Sequence, residues 1–288
     1  MYILIKSWIH HKNKEGLERI LNHLKFKYLF DDEKIDTKDK TLEKYDIIVS
    51  PSASIDTGKY PDKKFIFGPH FSVFPDDKLK QVNNIHNNSI YIQPSEWTVK
   101  TWLNMTTKKD IPIEPFPFPV NTEKFNDLGK ERSKVFIYYK RRLPEELESV
   151  KSFLTNKNIE YRIFDYVKRY DEQEYLEYLQ ESKYGIIVDA HESQGFAIEE
   201  ALSCNVPLLV WNTRDMSQEY GGSYNKVPCT TIPYWDERCG EYFYDQSELI
   251  ETYDKFINKL DIYKPREYIL DNLSVEVCSE RFKELINI

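Results

Sequence analysis

Glu192 and Glu200, separated by seven residues, carry the clearest chemical signal in this sequence. They lie in Gly185–Trp211, where an apolar run ends at Asp189, a polar loop His191–Gln194 follows, and a helix is expected to open near Gly195. In a doubly wound sheet such a loop lies at the carboxyl end of a strand, where ligands bind. The first amides of the helix, around Gly195 and Phe196, have no intrahelical partner and form an anion site. Gly195 lets the backbone come close to a phosphate. Phe196 and Glu200 share one helix face, while Ala197, Ile198, Ala201 and Leu202 turn toward a core. His191, Ser193 and Gln194 are the loop side chains nearest such a ligand. The competing readings are a loop carboxylate for Glu192, a solvent-facing helix residue for Glu200 and a surface histidine for His191.

A second signal is Lys140-Arg141-Arg142, which directly follows the apolar run ending Tyr138-Tyr139. Guanidinium forks match phosphate oxygens. The motifs of other classes are missing. There is no G-x-G-x-x-G, no P-loop and no G-x-S-x-G, so nicotinamide enzymes, NTPases and α/β-hydrolases lack their signatures. His10-His11 and cysteines 204, 229, 239 and 278 lack zinc spacing. Asp31-Asp32 and Asp76-Asp77 read as solvated turns.

Alternating strands and helices must position these residues. In the first half, strands are expected at Tyr2–Lys6, Tyr28–Phe30, Ile47–Ser50, Phe65–Phe67 and Ile90–Gln93, and helices at Glu15–Leu24 and Glu96–Leu103 with Ser95 as cap. Four prolines within 111–119 make a stiff, extended connector. The alternation then restarts: strands Lys134–Tyr139, Glu160–Phe164, Gly185–Asp189, Pro207–Trp211 and Thr230–Pro233; helices Pro144–Leu154, Glu172–Gln180 and Phe196–Cys204. Helices at Ser247–Leu260, Arg266–Asn272 and Val275–Ile286 close the chain. The fold class is α/β, with two Rossmann-like doubly wound domains and a ligand cleft at their strand ends.

Glu192-x₇-Glu200, with Gly195-Phe196 between and Ala201-Leu202 after, resembles the signature of retaining GT-B glycosyltransferases, above all family 4 (glycosyl transferases group 1). Asn205 stands where that family's following turn has Gly, and Asn tolerates the left-handed conformation. Pro119–Phe125 resembles the family's interdomain phrase, and Leu273–Leu285 its last helix, which crosses back to the first domain. The resemblance implies three segments: an acceptor domain 1–125, shorter than is usual for the family; a nucleotide-sugar domain 126–270; and a crossing helix 271–288. It implies transfer of a hexose-type sugar from a UDP- or GDP-sugar to a glycan or other hydroxyl acceptor, with retention, without metal and without a prosthetic group. Glu192 would contact the donor sugar and Glu200 the ribose. Arg142 is first choice for the diphosphate, with Lys140 and Arg141 beside it. Glu145-Glu146-Leu147 occupy the place of the family's second clamp cation, and Lys140 or Lys151 is the substitute. Ser7–Gly16 matches the first domain's phosphate-facing loop, with Gly16 its one glycine. His70, after Gly68-Pro69, matches a histidine near the reacting sugar and is the third catalytic candidate, with Glu192 and Arg142. Other GT-B enzymes, inverting transferases or epimerases, and a non-catalytic binding subunit are the alternatives.

Composition agrees with a folded protein. The 288 residues are 40% hydrophobic and 31% charged, enough for a sizeable core. The net charge of −8 argues against nucleic acid as a partner. No stretch approaches the roughly 18 apolar residues of a membrane span, and none reads as a signal peptide. The expectation is a soluble cytoplasmic protein; peripheral membrane contact stays open, and the oligomeric state is not indicated.

Overall fold

The structure, a computed structural model, describes residues 1–6, 9–31, 40–51, 57–69, 74–75, 88–105 and 112–287. The chain divides into two units, Met1–Pro119 with Val275–Ile288, and Val120–Ser274. These divisions differ from the expected 125 and 270 because Val120, Phe125 and Leu273 are buried in the core of the second unit.

The first unit carries a six-stranded sheet in the order β2-β1-β3-β4-β5-β6, parallel throughout. Its strands are β1 (Tyr2–Lys6), β2 (Lys27–Asp31), β3 (Ile47–Ser50), β4 (Lys64–Phe67), β5 (Ser89–Gln93) and β6 (Ile113–Pro115). Helices α1 (His11–His23), α2 (Glu96–Met105) and α8 (Val275–Asn287) belong to this unit. Strand β6 lies within the segment expected to be only a connector. It pairs with β5 alone, at the sheet edge, where a proline removes no ladder bond. The segment expected as a phosphate-facing loop is helical from His11 onward. Gly16 is buried inside α1, where a Cβ would lie 2.8 Å from the Cβ of Phe118. That glycine serves a close helix approach. Ser7 and Trp8 lie outside the described residues.

The second unit carries a five-stranded parallel sheet in the order β11-β10-β9-β7-β8. Its strands are β7 (Lys134–Lys140), β8 (Arg162–Asp165), β9 (Ser182–Asp189), β10 (Leu208–Trp211) and β11 (Gly240–Phe243). Helices α3 (Pro144–Asn156), α4 (Glu172–Leu179), α5 (Phe196–Ser203), α6 (Leu249–Ile257) and α7 (Pro265–Leu273) belong to it. Within strand β9 the apolar run Tyr184–Val188 is buried on both faces, as a central parallel strand must be. Two clusters of buried side chains flank the sheet, one containing Phe136, Ile187 and Leu202, the other Ile137, Val188 and Trp211. The expected strand Thr230–Pro233 is irregular, and β11 takes the edge instead.

Both sheets reverse strand order next to their first strand: β1 sits between β2 and β3, and β7 between β8 and β9. A crevice opens at the carboxyl ends of the two strands that flank such a reversal. In the second unit those ends are Lys140 on β7 and Asp189 on β9, direct partners in the ladder.

Candidate functional site

The site in the second unit is built on these two strand ends. The Lys140 ammonium forms an ion pair with Glu192 Oε1. Both groups are largely but not fully buried, at 17% and 15% exposure. Burial acts against the charge of Lys140, but the Glu192 carboxylate beside it outweighs that and raises its pKa. Burial likewise acts against the carboxylate of Glu192, and Lys140 outweighs it, so Glu192 is held below the ordinary carboxyl range. The pair is ionised at neutral pH. The Lys140 ammonium also lies 4.6 Å from the centre of the exposed Tyr166 ring.

Glu192 is placed by its backbone, whose N–H donates to Thr230 O at 3.1 Å. Three residues later Gly195 takes φ +95° and opens α5 without a side-chain cap. A Cβ there would sit 3.4 Å from the Glu192 Cβ. The uncapped start leaves the first helical amides for a ligand anion. Ile198, Ala201 and Leu202 are buried as the sequence pattern requires. Asn205 adopts φ 62° just after the helix, and the bonds Asn205 N–Leu202 O and Val206 N–Ala201 O, at 2.9 and 3.1 Å, close its last turn. Glu200 is buried one turn into α5. Its charge helps raise the pKa of Tyr170, after burial itself.

The three cations of 140–142 have different fates. Arg141 is half exposed and takes φ 50°, a conformation that costs a non-glycine residue roughly 1–2 kcal/mol. Its Nη1 donates to Glu219 Oε1 at 2.8 Å. The other oxygen of Glu219 lies 3.4 Å from His191 Nδ1. Burial first, then Lys140 and Arg141, lower the pKa of His191 in spite of Glu219 and Glu192.

Arg142 corrects the sequence expectation. It is 0% exposed. Its Nε and Nη2 donate to the two oxygens of Glu146 at 2.8 and 2.5 Å. Its Nη1 donates to Asp189 O at 3.3 Å and Trp211 O at 3.1 Å. The guanidinium lies over the Trp211 ring, 5.4 Å from its centre. Arg142 therefore ties the ends of β9 and β10 to α3 beneath the site, with no surface for a diphosphate. Glu146, which stands where a second clamp cation was sought, is its counter-ion. Arg142 and Glu146 are four residues apart at a helix start, a spacing that signals the pair in the sequence.

Two buried carboxyls escaped sequence reasoning. Asp189 is 0% exposed, and its side chain lies beside the Glu192 carboxylate. Burial, only partly offset by Lys140, raises its pKa well above the carboxyl range. Glu199 is also buried; its Oε2 accepts from Gln194 Nε2 at 3.0 Å, and burial raises its pKa strongly too. Gln194 is thus a structural partner of α5. The Asp189-Ala190 turn is fixed by hydroxyls: Thr213 Oγ1 donates to Ala190 O at 2.6 Å, and Thr231 Oγ1 to the same oxygen at 2.9 Å. Ser193 lies half-buried in the loop. His70 lies outside the described residues.

Lys140, Arg141, His191, Glu192 and the start of α5 thus gather at the strand reversal, a set of two cations, a neutral base, a carboxylate and a helix start without a side-chain cap, suited to an anionic ligand with polar groups. No protein-family model matches the chain, and no curated protein is similar to it in sequence. Solved structures do match. A sucrose-phosphate synthase from Thermosynechococcus elongatus superposes with a TM-score of 0.62 at 10% identity, over 100% of this chain and 98% of that one. The apo form of the lipopolysaccharide outer core galactosyltransferase WaaB gives 0.56 at 12% identity over 99% of each chain. WaaG, a glycosyltransferase involved in lipopolysaccharide biosynthesis, gives 0.50 at 10% identity, again over 99% of each. The chain has the GT-B fold, a fold it shares with these glycosyltransferases.

Proposed function

We propose that the protein is a glycosyltransferase that moves a hexose-type sugar from a UDP- or GDP-sugar to a glycan or other hydroxyl acceptor, with retention of configuration. One observation carries the reading: Lys140 and Glu192 meet at the carboxyl ends of β7 and β9, beside the uncapped start of α5. The second unit binds the donor and the first unit the acceptor. The diphosphate lies against the amides of Gly195 and Phe196, with Lys140 and Arg141 on its oxygens. Glu192 orients the sugar, His191 lines its pocket and Glu200 holds the ribose.

In such a reaction the bond from the anomeric carbon to the diphosphate oxygen breaks, and negative charge grows on the leaving group. Fixed donors aimed at that charge are the largest single source of acceleration in many enzymes, and removing one costs about 10²–10³ in rate. Lys140, Arg141 and the helix amides supply them here. Glu192 is assigned a positioning role with no covalent intermediate; the acceptor hydroxyl attacks on the face the diphosphate leaves, and a phosphate oxygen takes its proton. Arg142 and Glu146 hold the strand ends in register for this geometry.

The test is turnover of a panel of UDP- and GDP-sugars with and without sugar acceptors, with the product anomer read by NMR. At least one donor is expected to be consumed with retention, and Lys140→Ala to lose at least a hundredfold in rate. Inversion would overturn the stereochemical part, and full activity in Lys140→Ala the site. The complete pairing of residues 140–142 with carboxylates favours one other reading, a non-catalytic GT-B subunit, which predicts no turnover with any donor.

A further inference from the structure

Glu219 is shared. One oxygen accepts from Arg141, at 2.8 Å, and the other faces His191 Nδ1, at 3.4 Å. The carboxylate is 7% exposed, whereas Arg141 is 51% exposed and can leave. If a diphosphate takes the guanidinium, Glu219 remains as a buried carboxylate without its cation, an arrangement proteins avoid. His191 is in place to restore the balance. The charged and titratable groups around it are Glu219, Glu192, Lys140 and Arg141, with the Tyr224 ring 6.0 Å away, centre to centre. Two cations and burial keep the imidazole neutral in the structure as it stands. Phosphates that engage Lys140 and Arg141 would cancel those two cations and leave the two carboxylates.

We propose that a nucleoside diphosphate draws Arg141 away from Glu219 and that His191 takes up one proton from solvent at Nδ1 in its place. Glu219 is then a positioning residue that holds Arg141 ready, and donor binding is coupled to proton uptake. The inference rests on the donor-site reading above. The sign follows from linkage: the bound state holds the extra proton, so affinity is highest at low pH and falls as pH rises, until the bound-state imidazole itself deprotonates. For one proton the fall approaches tenfold per pH unit within that window.

Calorimetric titration of the full chain with UDP and with GDP tests this, between pH 7.5 and 9. Phosphate monoesters lose their last proton near pH 6, so the ligands themselves contribute little there. Two buffers of different ionisation heat give the number of protons taken up. The wild type is expected to take up between half and one proton at pH 7.5 and to bind about two- to tenfold more weakly one pH unit above it. His191→Asn should take up none and show a flat pH profile. Glu219→Gln, which no longer competes for Arg141, should take up none and bind severalfold tighter than wild type at pH 8.5; a merely structural Glu219 would give weaker binding. Binding without proton uptake in the wild type, or uptake that persists in His191→Asn, overturns the proposal while leaving the donor site standing. Failure of both nucleotides to bind the wild type overturns the donor site and the proposal with it. Should His191→Asn fail to fold, Glu219→Gln decides.

Discussion

Arg142 and Arg141 are neighbours of the same type with opposite duties. Arg142 is enclosed by Glu146, Asp189 O and Trp211 O, while Arg141 stands half in solvent. Removing one partner of a buried pair leaves an uncompensated charge and costs about 3–5 kcal/mol. Arg142→Ala is therefore expected to lower the free energy of unfolding by about 3 kcal/mol in urea melts. Equal stability of Arg142→Ala and wild type would contradict the scaffold role. Glu199 gives a pH test. Its carboxyl keeps a proton when folded that the unfolded chain releases near its ordinary pKa of about 4.3. A raised folded pKa makes stability fall with pH above that point, by roughly 1.4 kcal/mol per unit, until the folded pKa is reached. Glu199→Gln escapes this loss. It should match wild type near pH 4 and exceed it at pH 7 in urea melts at both values; no difference at pH 7 would contradict a neutral buried Glu199. At this scale Glu192 and Gly195 were legible because their signal is local: one loop and one helix start. Which of residues 140–142 points inward was not, because it depends on the left-handed turn at Arg141. Asp189 was missed because it reads only as the end of an apolar run, and its burial is a property of the sheet.

Helix α5 and strands β7 and β9 are the elements that make the site. Apolar runs and helical periodicity place them, since both are set within a few residues. Elements whose form depends on neighbours were less legible. Thr230–Pro233 has strand-like composition, yet its amides go to side chains: Thr231 N donates to Asn212 Oδ1 at 2.8 Å and Ile232 N to Thr230 Oγ1 at 3.1 Å. The edge strand Gly240–Phe243 carries Glu241 and buries only its two ends, so no apolar run announced it. Gly195 sets the start of α5. An alanine there would meet both the φ of +95° and the side chain of Glu192 3.4 Å away. Gly195→Ala is expected to cost about 1–2 kcal/mol, the penalty of a left-handed alanine. It should also weaken nucleoside diphosphate binding at least tenfold, because Glu192 and the first amides move together. Unchanged affinity by titration calorimetry would separate Gly195 from the ligand.

The whole molecule is acidic, and the described basic run does not relieve that locally. Lys140 is paired with Glu192, Arg141 with Glu219 and Arg142 with Glu146. An incoming diphosphate must exchange with these carboxylates, so net charge alone says little about anion binding, and the part-buried pairs at Lys140 and Arg141 set its energetics. The two-unit GT-B architecture was legible because the strand–helix alternation is interrupted once, at the prolines of 111–119, and then restarts. Among the described residues no helix is long and apolar enough to cross a membrane. The central claim is that the second unit holds a nucleotide-sugar at Lys140, Glu192 and the start of α5. Titration of the full chain with UDP- and GDP-sugars at pH 7.5, for wild type and Lys140→Ala, tests it most directly. At least one donor is predicted to bind the wild type and to bind Lys140→Ala at least tenfold more weakly; no binding by any donor, or equal affinity in the two proteins, would contradict it.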